Sequence, residues 1–388
     1  MRTSTCSRIF LAAATLALAA FLAVGPALAG QAPARNVIVM IADGCGNEQY
    51  TLARWFLGRP LSFDPYLVGM LKTWIADSVV ADSAPAASAF ATGQRTSDKL
   101  ISVGPGPKVL PEFPAPPAAL QFRPLATVLE GARLAGKATG IVATSRVTHA
   151  TPAAFMAHTP ARSMENEIME QAVYNNVDVV LGGGKRHLLP KESGGKREDG
   201  ENLVPVLAAK RYHLAEDRDS LLQVKSGKVF GLFAGSHMAA EIDRSAARPQ
   251  EPTLEEMTRK AIELLSQDKD GFFLMVEGSQ IDWADHANDP AHLLSDMGQY
   301  ERAARIALDF AKKDGRTLVL LFSDHDTGGL SIGNYLTSET YSQMKSPDLL
   351  APLRRMKASS SALWKKVEKT PTPAAVQAAV AEGWGMDC

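Results

Sequence analysis

The 388-residue chain is 46% hydrophobic and 21% charged, and its formal net charge is −1. That length can bury a large core, as one big α/β domain or two smaller ones. The near-neutral balance gives no basis for a nucleic-acid partner, and Cys45 and Cys388, at opposite ends of the chain, give little basis for a disulfide.

Residues 1–29 have the layout of a secretory leader. Arg2 and Arg8 supply a positive start, Ile9 to Val24 form an apolar run, and Ala27-Leu28-Ala29 makes a small-x-small cleavage site. The run is short for a membrane span, and the alternative to a cleaved leader is an uncleaved N-terminal anchor. The expectation is an exported protein, periplasmic or secreted, with one folded domain over residues 30–388 and no membrane anchor after cleavage.

Beyond the leader, short apolar runs alternate with amphipathic stretches. Asn36–Ala42, Thr139–Ala143, Val177–Leu181, Phe272–Val276 and Thr317–Phe322 read as strands that are apolar on both faces. Leu125–Leu134, Ser163–Asn175, Leu254–Leu265 and Ala291–Lys312 carry helical periodicity. The alternation predicts an α/β three-layer sandwich, with a large, mostly parallel central sheet covered by helices on both faces. Val103–Pro124 holds seven prolines and predicts an irregular insertion. Pro190–Asn202 is charged and glycine-rich, which predicts a mobile loop. Tyr335–Lys366 reads as polar and helical, Thr370-Pro371-Thr372-Pro373 breaks it, and a short helix follows.

Three carboxylates fall just past buried strands: Asp43, Glu277 and Asp324. Ligand sites in open α/β sheets gather at that end. Three acids so placed repel one another unless cations neutralise them, although an acid after a strand can also cap the next helix. Asp282 and His286 are four residues apart, so one helical face carries both. Asp324-His325 is a second acid–imidazole pair. Mixed carboxylate and imidazole donors suit zinc, and all-oxygen sets suit magnesium. His187, His213, His237 and His292 have no such setting and read as surface or packing residues. Asp82-Ser83-Ala84-Pro85 opens a run of small residues ended by Gly93, a helix N-terminal signature. Ser83 is then either an ordinary cap or a side chain facing an anion at the positive end of a helix.

Five segments, in order, resemble the alkaline phosphatase family. They are NVIVMIADGCG, ADSAPAASAFATG, VTHATPAAFMAHTPAR, VEGSQIDWADHAND and LFSDHDTGG, and together they cover roughly residues 35 to 330. The resemblance implies hydrolysis of small phosphate monoesters, releasing inorganic phosphate, at a site with two Zn2+ ions and one Mg2+. It implies Ser83 as the nucleophile that becomes phosphorylated and Arg162 as the clamp on the phosphate oxygens. Asp43, Asp324, His325 and Ser83 would hold one zinc, Asp282 and His286 the other, and Asp43, Thr151 and Glu277 the magnesium. Asp82, His149 and Trp283 would stand behind these groups, and a homodimer is a further implication.

The chain also departs from the family pattern. His149 and Trp283 replace the Asp and Lys of some members, which predicts altered magnesium affinity and an altered contact to phosphate. Cys45 replaces a usual Met, with a packing role expected. No histidine follows His325, whereas the resemblance implies another near the C-terminus as a third ligand to the Asp282–His286 zinc. The expectation is an incomplete C-terminal end, a weakened zinc site and an open sheet edge. The rival reading is a weakly active or non-catalytic binder of metal and phosphate. A sulfatase or a phosphodiesterase of the same superfamily fits the Ser83 and Arg162 segments less well.

Overall fold

A computed structural model describes residues 33–333, 335 and 338–387, so the leader expected at 1–29 lies outside the described residues. Seven strands form one sheet: β1 (Asn36–Ala42), β2 (Ala138–Arg146), β3 (Val179–Gly183), β4 (Tyr212–Ala215), β5 (Lys228–Leu232), β6 (Phe272–Gly278) and β7 (Thr317–Phe322). Their order is β4-β5-β3-β2-β6-β1-β7, and every pairing is parallel.

The sheet is covered on both faces because its central strands are apolar at every position. Ile38, Met40, Leu274 and Val276 point into one core with the helices Leu254–Leu265 and Pro290–Asp314. Val39, Ile41, Ile141, Phe273 and Met275 point into the other, with Leu129, Met169 and Val173 of the helices Val128–Leu134 and Glu165–Tyr174. Adjacent residues thus serve opposite cores, as the period-two geometry of a strand requires. The predicted three-layer α/β sandwich is the observed fold. Among the described residues no helix is long and apolar enough to cross a membrane.

Three expectations are corrected. Strands β4 and β5 were not foreseen. β4 exposes His213 and Leu214, and β5 carries Gly231, where a side chain would meet Leu181 and Phe233 at 2.8 and 2.7 Å. β3 runs two residues beyond the expected end, through Gly182 and Gly183; a Cβ on Gly183 would lie 2.1 Å from the Ser236 carbonyl oxygen, so only glycine lets the strand continue there. Pro190–Asn202 is anchored rather than loose. Arg197, 1% exposed, donates to Asp199, Glu201 and the Asn166 carbonyl, which neutralises its buried charge.

The proline-rich Val103–Pro124 is irregular as expected, apart from a single 3-10 turn at Ala118–Leu120. It is tied at its base by backbone bonds from Gly104 to Arg123 and from Leu125 to Ser102. In the last part of the chain, the α-helices among the described residues are Ser346–Arg355, Ser360–Val367 and Pro373–Trp384. Among the described residues β7 is an edge strand of the sheet, with Leu318 44% and Leu320 41% exposed.

Candidate active site

The expected site residues gather at the carboxyl ends of β2, β6, β1 and β7, which are neighbours in the sheet, with Glu277 in the last residues of β6 itself. β1 delivers Asp43, and β7 delivers Asp324 and His325. β6 carries Glu277 on its last turn of strand, and the helix Gln280–His286 that follows carries Asp282, Trp283 and His286. β2 leads through His149 into the helix Ala150–Met156, which holds Thr151.

Ser83 is the first residue of the helix Ser83–Thr92, and Asp82 is its N-cap residue. The Asp82 carboxylate does not cap the helix. Both of its oxygens instead accept from Arg162 Nη1 at 2.6 Å, and Arg162 Nη2 lies 2.8 Å from His149 Nε2. The helix start therefore receives no side-chain cap from Asp82, which anchors Arg162 beside it instead.

Ser83 is 2% exposed, and its Oγ sits 3.3 Å from Asp43 Oδ1 and 3.1 Å from His325 Nε2. The His325 ring is also 3.4 Å from Asp43 and 3.8 Å from Asp324. Asp324 Oδ1 accepts from the Gly44 backbone N–H at 3.1 Å. Gly44 has φ +67°, and a Cβ there would fall 2.1 Å from Thr327 Oγ1 and 2.6 Å from Asp282 Oδ1. Only glycine lets these two ligand-bearing turns approach so closely. Thr327 Oγ1 donates to Asp282 Oδ1 at 2.6 Å, fixing the carboxylate that His286 Nε2 approaches at 3.4 Å.

The electrostatics are those of a site built for cations. Asp43, Glu277 and Asp324 are fully buried. Burial, then the Asp324 charge, holds the Asp43 carboxyl well above its ordinary range; burial also raises Asp324 and lifts Glu277 to about 7. Burial alone would lower His325, but the Asp324 and Asp43 carboxylates raise it to about 10. Asp43 Oδ2, Asp324 Oδ2, Glu277 Oε1, Thr151 Oγ1 and His149 Nδ1 are all buried without a hydrogen-bond partner. Such atoms are costly to leave unsatisfied, and a metal ion satisfies them together.

Among the described residues, two groups present donor atoms within 4.8 Å of one another: Asp43, Asp282 and His325, and Asp43, His149 and Glu277. His149, expected behind the ligands, thus contributes a donor atom to a candidate metal group. His286 belongs to neither group and its side chain is exposed.

Asp285 was not singled out from the sequence, and His237 was read only as a surface or packing residue. Asp285 accepts from Gln49 Nε2 at 3.1 Å, and burial, with Asp282 and Asp326 nearby, pushes its carboxyl up to about 7. Its place beside His286 in the same motif was the available signal. His237 packs its ring on Trp283 at 4.0 Å between centroids. No local pattern marks it, because it follows the unforeseen strand β5. Cys45 is a free, buried thiol 3.6 Å from Met297 Sδ, which is the expected packing role.

A parallel sheet with a buried serine, an arginine and metal-donor groups at its carboxyl end defines a class of α/β hydrolases that handle anionic esters. The alkaline phosphatase family model matches residues 34–379. Alkaline phosphatase 3 of Bacillus subtilis is 40% identical over 339 residues, covering 82% of this chain and 67% of that one. The crystal structure of Thermus thermophilus alkaline phosphatase superposes with a TM-score of 0.80 at 30% identity, covering 92% of this chain and 72% of that one. A His-to-Asp mutant of the alkaline phosphatase from the Antarctic bacterium TAB5, with Mg bound in its M3 site, superposes with a TM-score of 0.65 at 32% identity over 77% of this chain and 80% of that one. The chain belongs to the alkaline phosphatase family, whose members are phosphomonoester hydrolases.

Proposed function

We propose that this chain hydrolyses phosphate monoesters through a phosphoserine at Ser83, at a site holding two zinc ions and one magnesium. The observation that carries the proposal is the set of buried, unpartnered donor atoms on Asp43, Asp324, Glu277, Thr151 and His149 around Ser83. Asp43, Asp324, His325 and Ser83 would hold one zinc, and Asp282 with His286 the other. Asp43, Thr151 and Glu277 would hold the magnesium. Bound there, the ions would neutralise the carboxylates and stabilise charge on the attacking and leaving oxygens.

The chain's own groups account for the rest. Arg162 offers a planar pair of N–H donors to two phosphate oxygens, a match a lysine lacks. Ser83 Oγ, with the helix N-terminus behind it, forms a bond to phosphorus as the ester P–O bond breaks and the alcohol departs. Water then cleaves the Ser83 ester, returning the serine hydroxyl and inorganic phosphate. Residues 1–29, we further propose, direct export of the chain. The test is hydrolysis of a chromogenic aryl phosphate by the zinc- and magnesium-loaded protein, together with its zinc content. Turnover with about two tightly held zinc ions supports the proposal. A folded chain that holds one zinc and does not turn over supports the rival reading as a binder, to which the exposed, ungrouped His286 gives some weight.

The His149 donor bears on the choice of ion. A nitrogen beside Asp43 and Glu277 makes the third site less suited to magnesium than an all-oxygen set. His149→Asp is expected to tighten magnesium binding by about tenfold or more, read by calorimetric titration. An unchanged affinity would remove His149 from the metal's surroundings.

A further inference from the structure

We infer that His237 is a positioning residue for phosphate recognition, acting through Trp283 and His149 on Arg162. The inference rests on the proposal that Arg162 clamps phosphate. His237 stands on a turn that the fold holds rigidly. Gly184 N donates to the Ala234 and Ser236 carbonyls at 3.0 and 2.9 Å, Met238 N donates to the Thr144 carbonyl at 3.1 Å, and Gln280 Nε2 donates to the Met238 carbonyl at 2.6 Å. The Ser236 carbonyl fills the space that a side chain on Gly183 would need. His237 Nδ1 faces the Arg146 backbone N–H at 3.3 Å, and its Nε2 faces the Arg146 guanidinium, which Glu165 also binds.

From this mount the His237 ring covers Trp283, with centroids 4.0 Å apart, and meets His149 edge-on at 5.6 Å. Trp283 in turn meets His149 edge-on at 5.3 Å. The three rings touch pairwise, and the outermost, His149, lies 2.8 Å from Arg162 Nη2. Trp283 follows Asp282 on a short helix and is only half-buried. Its ring therefore depends on His237 for a fixed rotamer, and His149 depends on both rings for the wall that presses it toward Arg162. His237 is thus connected to the clamp by contact, without touching substrate.

The experiment uses the metal-loaded full chain and an aryl phosphate, with inorganic phosphate as a competitive inhibitor. His237→Ala is expected to raise both KM and the phosphate inhibition constant about threefold to tenfold, with kcat nearly unchanged. His237→Phe keeps the ring and should stay near the parent values. His237→Gln keeps a polar group beside Arg146 but loses the ring and should behave like His237→Ala. Trp283→Leu should give a similar loss, and the double variant no more than either single one. Retention by Gln with loss in Phe, a fall in kcat at constant KM, or additive effects with Trp283→Leu would each overturn the inference. The Phe and Gln pair carries the test if the alanine variant does not fold. Arg162→Ala separates the two levels. If it leaves phosphate affinity unchanged, the clamp itself is wrong; if it weakens phosphate while His237→Ala does not, only the role of His237 is.

Discussion

Ser83→Ala lowers kcat for an aryl phosphate by about 10^4-fold or more while leaving phosphate binding near the parent value. The magnitude follows from removing the atom that forms the covalent bond in a two-step hydrolysis. Phosphate binding persists because Arg162 is held by Asp82 and His149, neither of which bonds the Ser83 hydroxyl. Alanine is also a good helix former at the first position of Ser83–Thr92, so the helix start is kept. Steady-state kinetics with a phosphate titration check both halves. Turnover within about tenfold of the parent would mean that another group carries the reaction, and lost phosphate binding would mean that the variant disturbed the site rather than the nucleophile.

The second large effect is on stability, in the metal-free protein. Glu277 ionises near 4.5 when unfolded and at about 7 in the fold, chiefly because it is buried. A raised carboxyl is neutral in the fold at low pH. Its stabilisation is complete below the unfolded value and is lost as pH climbs through about 7. That group alone accounts for about 3 kcal/mol between pH 4 and pH 8, and Asp43 and Asp324 shift in the same direction. His325, raised from 6.5 to about 10, keeps its full stabilisation only below about pH 6.5 and loses it as pH climbs from there to about 10, so it adds to the same fall. In chelator, the melting temperature should therefore fall from pH 5 to pH 8, and zinc should restore it at pH 8 but barely at pH 5, where protons hold the donors. Asp43→Asn, which removes one buried charge, should flatten this fall, raise the metal-free melting temperature at pH 8 and abolish high-affinity metal binding. A melting temperature that rises with pH in chelator would contradict the electrostatic account.

Much of this site could be read in the sequence, because β1 and β7 are apolar on both faces and end at an acid. Their ends at Ala42 and Phe322 fell where the runs NVIVMIA and TLVLLF stopped, so Asp43 and Asp324 were placed correctly at the sheet's carboxyl end. Asp282 and His286 were legible for a similar reason, since four-residue spacing on a helix has one geometric meaning. What escaped depends on contacts made far along the chain. β4 buries only Tyr212 and Ala215, β5 is a five-residue run interrupted by Gly231, and His237 comes into play only because β5 carries it toward Trp283. The turn of the Asp82 carboxylate onto Arg162, 80 residues away, likewise overrides the local capping signal. Arg197 looked like loop charge because Asn166 and Glu170, the partners that hold it from outside the loop, lie on another element.

The central claim is covalent chemistry at Ser83, and its most direct measurement is trapping. The metal-loaded protein is mixed with excess aryl phosphate, quenched in acid, digested and mapped by mass spectrometry. The account predicts phosphate on the peptide that contains Ser83, and none in Ser83→Ala. Rapid turnover that leaves no phosphate on Ser83, or leaves it on another residue, would contradict it.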